Sequence, residues 1–294
     1  MFLQRSALHS LTLILISGLL TSCSSGPDKT LSDNLVCSDE VSGIVNGHIA
    51  QKRDALSSST VLLLTENAKK EISVCTGTLI DKNIVLTAAH CSAPKTYVTF
   101  VRNVGCLGKL ESIPARKVTR SVVRREKLPE GLSLASEDLM LLRFEGSTPS
   151  GFFPRALPDK SLQVTGSDTL LMAGYGRTTE SAKDNGILRF TETPAYNLLG
   201  NIYFPHSKEY VEVDRTLILD QRRTGVCIGD SGGPLYIKSP FGLTLIGVTS
   251  MGVDNTSANS KGEKVCQGVA LFTDIRAHLD WIRETVISLR RAAF

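Results

Sequence analysis

Apolar residues in this chain come in short runs. Val61–Leu64, Ile84–Leu86, Val98–Val101, Leu139–Phe144 and Leu170–Ala173 are apolar or alternating stretches separated by Gly, Pro, Asn and Asp. Runs of that length bounded by turn residues predict β-strands. Leu235–Ile237 and Leu243–Val248 face each other across Ser239-Pro240-Phe241-Gly242 and predict a hairpin. Many short strands with no intervening helical pattern predict barrels rather than βαβ units. The period changes near the end. Ile275, Leu279, Ile282, Val286 and Leu289 recur every three to four residues between Asp274 and Arg291. This spacing predicts one helix that packs by a single face.

The first residues have a different character. Arg5 precedes an apolar run from Leu11 to Leu20, which is too short to span a bilayer comfortably. It ends in Leu20-Thr21-Ser22-Cys23, and residues 1–22 read as a signal peptide. Small residues just before a cysteine resemble the bacterial lipobox, in which Cys23 would be exposed by cleavage and lipidated. The alternative is an ordinary secretory signal with an incidental cysteine. Residues 23–43 are rich in Ser, Asp and Gly and read as a tether or propeptide. The expected location is extracytoplasmic: a lipoprotein of the outer membrane, cell surface or periplasm, or a secreted protein.

Charge and cysteine usage narrow the function classes. The chain has 294 residues and a formal net charge of +4. It has no basic stripe interleaved with aromatics, so nucleic acid is not an expected partner. The seven cysteines are Cys23, Cys37, Cys75, Cys91, Cys106, Cys227 and Cys266. None has the Cys-x-x-Cys spacing of a zinc site, and no metal or organic cofactor is expected. Setting Cys23 aside leaves six, enough for three bridges in an oxidising compartment.

The chemistry concentrates in three segments: Leu86-Thr87-Ala88-Ala89-His90-Cys91, Glu137-Asp138-Leu139-Met140, and Gly229-Asp230-Ser231-Gly232-Gly233-Pro234. A serine in a glycine-rich turn is usually just a turn, a lone histidine is usually packed or solvated, and a lone aspartate is usually a surface charge. Together, and in the order His, Asp, Ser, they form a nucleophile, a base and the group that orients the base. With Ile44-Val45-Asn46-Gly47, Ala173-Gly174-Tyr175-Gly176-Arg177, Val248-Thr249-Ser250 and Trp281-Ile282, they resemble the trypsin/chymotrypsin family of serine endopeptidases. The match runs from Ile44 to about Arg291.

That resemblance implies an all-β fold of two packed six-stranded antiparallel barrels, about 44–166 and 167–273. A C-terminal helix of about 274–291 completes a protease domain of 44–294. It implies Ser231 as nucleophile, His90 as base and later acid, and Asp138 as the group that holds the imidazole. Gly229 and Ser231 would supply oxyanion-hole amides, and Ser250 would support Asp138. Residues 250–252, with Met251 and Gly252, would form the edge that pairs with substrate backbone. Cleavage before Ile44 would free an ammonium to pair with Asp230. The preceding Gly43 departs from the basic residue usual there, so a trypsin-like activator is not expected. The implied disulfides are Cys75–Cys91, Cys227–Cys266 and Cys37–Cys106.

The implied pocket base is Gly225 followed by Val226, with Gly252 at the mouth and Ala270 on the opposing wall. Without an acidic residue at that base, cleavage after Lys or Arg is disfavoured. An elastase-like preference for Ala, Val, Leu or Met is expected, with an aromatic preference as the alternative. The family's calcium loop would fall near 103–115, where Glu111 is the only carboxylate, and no such site is expected. Expected partners are protein or peptide substrates, protease inhibitors, and the membrane through the N-terminal lipid. Two other functions use the same residues: an inactive binding module, and an esterase or amidase acting on non-protein acyl groups.

Overall fold

The computed structural model describes residues 44–104, 119–127, 135–205, 207–256 and 264–292. Cys23, Cys37, Cys106 and all but the first two residues of the 103–115 loop lie outside them, as do the signal and tether segments.

The strands in chain order are β1 His48–Ile49, β2 Thr60–Glu66, β3 Ile72–Asp81, β4 Ile84–Thr87, β5 Lys95–Thr99, β6 Thr119–Lys127, β7 Met140–Phe144, β8 Thr169–Gly174 and β9 Arg189–Pro194. They continue as β10 Leu198–Leu199, β11 Ile202–Phe204, β12 Glu209–Val211, β13 Thr216–Asp220, β14 Pro234–Ser239, β15 Gly242–Val253 and β16 Val269–Asp274. Strands β2-β3-β4-β7-β6-β5 close into an antiparallel barrel. The second half forms an eight-stranded sheet, β1-β9-β8-β14-β15-β16-β13-β10, with β11 and β12 as a separate ribbon. Strand β1 belongs to this second sheet although it precedes the barrel in sequence.

Closure explains the apolar runs. Val61, Leu62, Leu63 and Leu64 on β2 are all fully buried. Alternate residues of a barrel strand point inward and outward, so unbroken burial means that both faces of β2 are covered. The buried cluster that fills the barrel continues into Leu171, Ala173, Tyr175, Tyr236, Leu245 and Val248 of the second half. The β14–β15 hairpin pairs Lys238 with Leu243 and Ser239 with Gly242, leaving Pro240 and Phe241 in the turn. The predicted helix begins later than its apolar period: Ile275–His278 is a 3-10 turn, and α1 spans Leu279–Arg291. The Asp274 side chain accepts the Arg276 N–H and caps the tight turn.

Candidate active site

His90 lies in a short 3-10 turn, Ala89–Cys91, at the end of β4. A disulfide joins Cys91 to Cys75 on β3 and ties that turn to the barrel. Asp138 directly precedes Leu139 and β7, and it is buried. Its Oδ1 accepts the His90 backbone N–H at 2.9 Å, and its Oδ2 lies 2.6 Å from His90 Nδ1. The Ser250 hydroxyl donates to the same Oδ2 at 2.7 Å. Burial, the largest influence on the Asp138 carboxyl, favours its neutral form. Against it act the His90 ring, the Ser250 hydroxyl and the His90 N–H, which together hold the carboxyl below its ordinary value. An ionised Asp138 requires a proton on Nδ1, which leaves Nε2 as the basic nitrogen.

Ser231 sits on a turn whose shape depends on two glycines. Gly229 has φ +101° and Gly232 has φ +81°, conformations that side chains disfavour. A Cβ on Gly232 would lie 2.0 Å from Thr87 Oγ1 and 2.3 Å from the Thr76 carbonyl. Thr76, buried on β3, stitches the turn in place. Its N–H donates to the Ser231 carbonyl at 2.8 Å and its hydroxyl to the Gly229 carbonyl at 3.1 Å. Sequence reasoning missed Thr76, because β3 carries no apolar run to mark it. The backbone N–H groups of Gly229 and Ser231 have no acceptor among the described residues. Ser231, His90, Asp138, Gly229 and Ser250 all line one cleft of about 610 Å³. No hydrogen bond joins the Ser231 hydroxyl to His90.

Asp230 points away from the cleft and is fully buried. Its oxygens accept the Gly176 N–H at 2.7 Å and the Cys227 N–H at 2.8 Å. Burial pushes its carboxyl up to about 7, against the pull of those two N–H groups and of Arg189. Arg189 is itself buried; it donates to the Asp184 carbonyl at 2.9 Å and pairs with the Asp184 carboxylate at 3.4 Å. Ile44 is fully buried at φ +45° in one cluster with Val226. The residues after it dock against the segment that precedes Val226. Val45 N–H donates to the Gly225 carbonyl at 3.0 Å, and the Thr224 hydroxyl donates to the Val45 carbonyl at 2.6 Å.

Val226, Met251, Gly252 and Val265 line one end of the cleft, and Gly225 and Ala270 are not among its lining residues. A disulfide joins Cys227 to Cys266 beside this end. Among the described residues, His90 and Asp138 are the only titratable side chains on the lining, since its cysteines are bridged. Strand β15 pairs with β16 through Met251, Gly252 and Val253, while β14 pairs only with its earlier part. The other edge of residues 250–253 therefore faces the cleft without a strand partner among the described residues. Cys75, His90 and Cys91 form the only cluster of metal-ligating types among the described residues, and their disulfide removes both thiolates.

The trypsin family model matches residues 44–282. The chain is 29% identical to chymotrypsin-like elastase family member 1 of Macaca fascicularis over 222 residues, which cover 73% of this chain and 79% of that protein. It is 28% identical to granzyme B of Rattus norvegicus over 268 residues, 87% of this chain and 96% of that protein. A solved structure described as "Structure of GrC" superposes with a TM-score of 0.63 at 21% identity, covering 83% of this chain and 99% of that one. This last likeness bears on the fold alone. The chain belongs to the trypsin family, and it is a chymotrypsin-type serine protease whose substrates are proteins or peptides.

Proposed function

We propose that this protein is an endopeptidase in which Ser231 attacks the peptide carbonyl and forms an acyl-enzyme. His90 takes the Ser231 proton and returns it to the leaving amine, and Asp138 holds the imidazole in the required tautomer. The Gly229 and Ser231 amides receive the developing oxyanion. The observation that carries this reading is the Asp138 carboxylate. It receives His90 Nδ1, His90 N–H and the Ser250 hydroxyl in the same cleft as Ser231. The open edge of residues 250–252 suits backbone pairing with an extended peptide.

The cleft end at Val226, Gly252 and Val265 has no charge to pair with Lys or Arg. Small and medium aliphatic residues fit it, with broad selectivity, because one methylene is worth only about 1–3 kcal/mol in a hydrophobic pocket. The chain is made as a zymogen cleaved before Ile44, the start of the protease domain. The Cys23 lipid and the Cys37–Cys106 bridge tether it outside the cytoplasm, where protease inhibitors are natural partners.

Labelling by a fluorophosphonate followed by a peptide library tests this, using the full chain, its product beginning at Ile44, and Ser231→Ala. Labelling at Ser231 with cleavage after aliphatic residues is the expected result. Cleavage after Lys or Arg would overturn the pocket reading, and a folded, Ile44-initiated protein that fails to label would overturn the assigned roles.

A further inference from the structure

We infer that Gln221 determines specificity by plugging the floor of the pocket that takes the residue before the scissile bond. The inference rests on the reading above that this end of the cleft receives that side chain. Gln221 follows β13 and is fully buried. Its Oε1 accepts the Val226 N–H at 3.0 Å, and its Nε2 donates to the Val265 carbonyl at 2.9 Å. The carboxamide thus spans two walls, with a partner on each.

The space it takes is set by two glycines. A Cβ on Gly225 would lie 2.3 Å from Gln221 Cβ and 2.4 Å from its Oε1, and a Cβ on Gly252 would lie 3.3 Å from its Nε2. The Gln221 side chain therefore lies against both Gly225 and Gly252, the second of which lines the cleft. Val226, Gly252 and Val265 line the cleft, and Gln221, which is not among the lining residues, packs directly against them. A carboxamide bonded on both sides is a stiff floor, because removing it leaves the Val226 N–H and the Val265 carbonyl without these partners.

The test compares kcat/KM for substrates with Val or Phe before the scissile bond. Gln221→Ala should raise the Phe-to-Val ratio at least tenfold, while Gln221→Met, which keeps the length without the hydrogen bonds, should leave it near wild type. Fluorophosphonate titration fixes the active fraction of each variant. An unchanged ratio in fully active Gln221→Ala would overturn the plug and leave the aliphatic reading standing. Wild-type hydrolysis after Lys or Arg would overturn the aliphatic reading itself. The wild type supplies a test that needs no variant. Affinity for straight-chain alkylboronic acids should rise about fourfold per methylene, then stop and fall once the chain reaches the carboxamide. A rise that continues through hexyl would overturn the proposal.

Discussion

Ser250 Oγ donates to Asp138 Oδ2 at 2.7 Å, to the same oxygen that receives His90 Nδ1 at 2.6 Å. One carboxylate oxygen thus serves two donors, and the hydroxyl helps keep the carboxyl ionised. A hydrogen bond to a charged group contributes about 1.5–3 kcal/mol, which corresponds to roughly 10- to 100-fold in rate if lost entirely in the transition state. Ser250→Ala should lower kcat within that range and leave KM nearly unchanged. Losing this donor also raises the Asp138 carboxyl, so the acid limb of the kcat profile should move to higher pH. A pH profile identical to wild type would remove Ser250 from the supporting role.

Asp138→Asn tests the tautomer directly. Asparagine keeps the shape but does not require a proton on Nδ1, so the ring can turn its basic nitrogen away from Ser231. The expected loss in kcat is about 10⁴-fold, the loss this exchange produces in the template protease of the triad. Fluorophosphonate labelling should slow in parallel. A loss below tenfold would mean that His90 is oriented by something other than this carboxylate.

Gly232 is where the turn that bears Ser231 tolerates least. At φ +81°, a Cβ would meet Thr87 Oγ1 at 2.0 Å. Left-handed strain costs about 1–3 kcal/mol, and overpacking costs a similar amount. Gly232→Ala should lower the denaturant midpoint by the equivalent of about 2–6 kcal/mol, a large share of the ~5–15 kcal/mol by which a typical domain is stable. A midpoint within about 0.5 kcal/mol of wild type, the range of neutral surface changes, would contradict this packing.

Much of the framework was legible in the sequence, because a strand with both faces buried reads as an apolar run. Val61–Leu64 and Leu139–Phe144 were visible for that reason. Strand β6 was not: it carries Arg120, Arg124, Arg125 and Lys127 among its nine residues. Strand β3 was hidden by its Ser and Thr positions, and Thr76 with it, although Thr76 fixes the turn that bears Ser231. The closed barrel matches one of the two expected, whereas the second half is an eight-stranded sheet that recruits β1 from ahead of the barrel. No local pattern reports such a long-range pairing. At the site, the segments bearing His90, Asp138 and Ser231 could be read because their residue types are tied to one chemistry. Gln221 could not, because a buried amide that bonds only to backbone looks like any surface glutamine in the sequence.

Asp230 and Ile44 carry the prediction for maturation. In the intact chain, burial holds the Asp230 carboxyl at about 7, well above the ordinary value of 3.8. The folded state therefore binds this proton more tightly than the unfolded state does. The stabilisation is fully present below about 4 and is lost as pH rises through 7, with a slope of up to about 1.4 kcal/mol per pH unit. Cleavage before Ile44 creates an ammonium on a residue already buried in one cluster with Val226, the neighbour of the Cys227 whose N–H holds Asp230. Brought to Asp230, that charge favours the carboxylate and removes the slope. Denaturant unfolding between pH 5 and pH 8 should show the intact chain weakening as pH rises, and the cleaved chain holding its stability. The cleaved chain alone should label rapidly with fluorophosphonate at pH 8. Equal pH slopes for the two forms would mean that the new ammonium does not reach Asp230, and cleavage at Ile44 would then not be the switch.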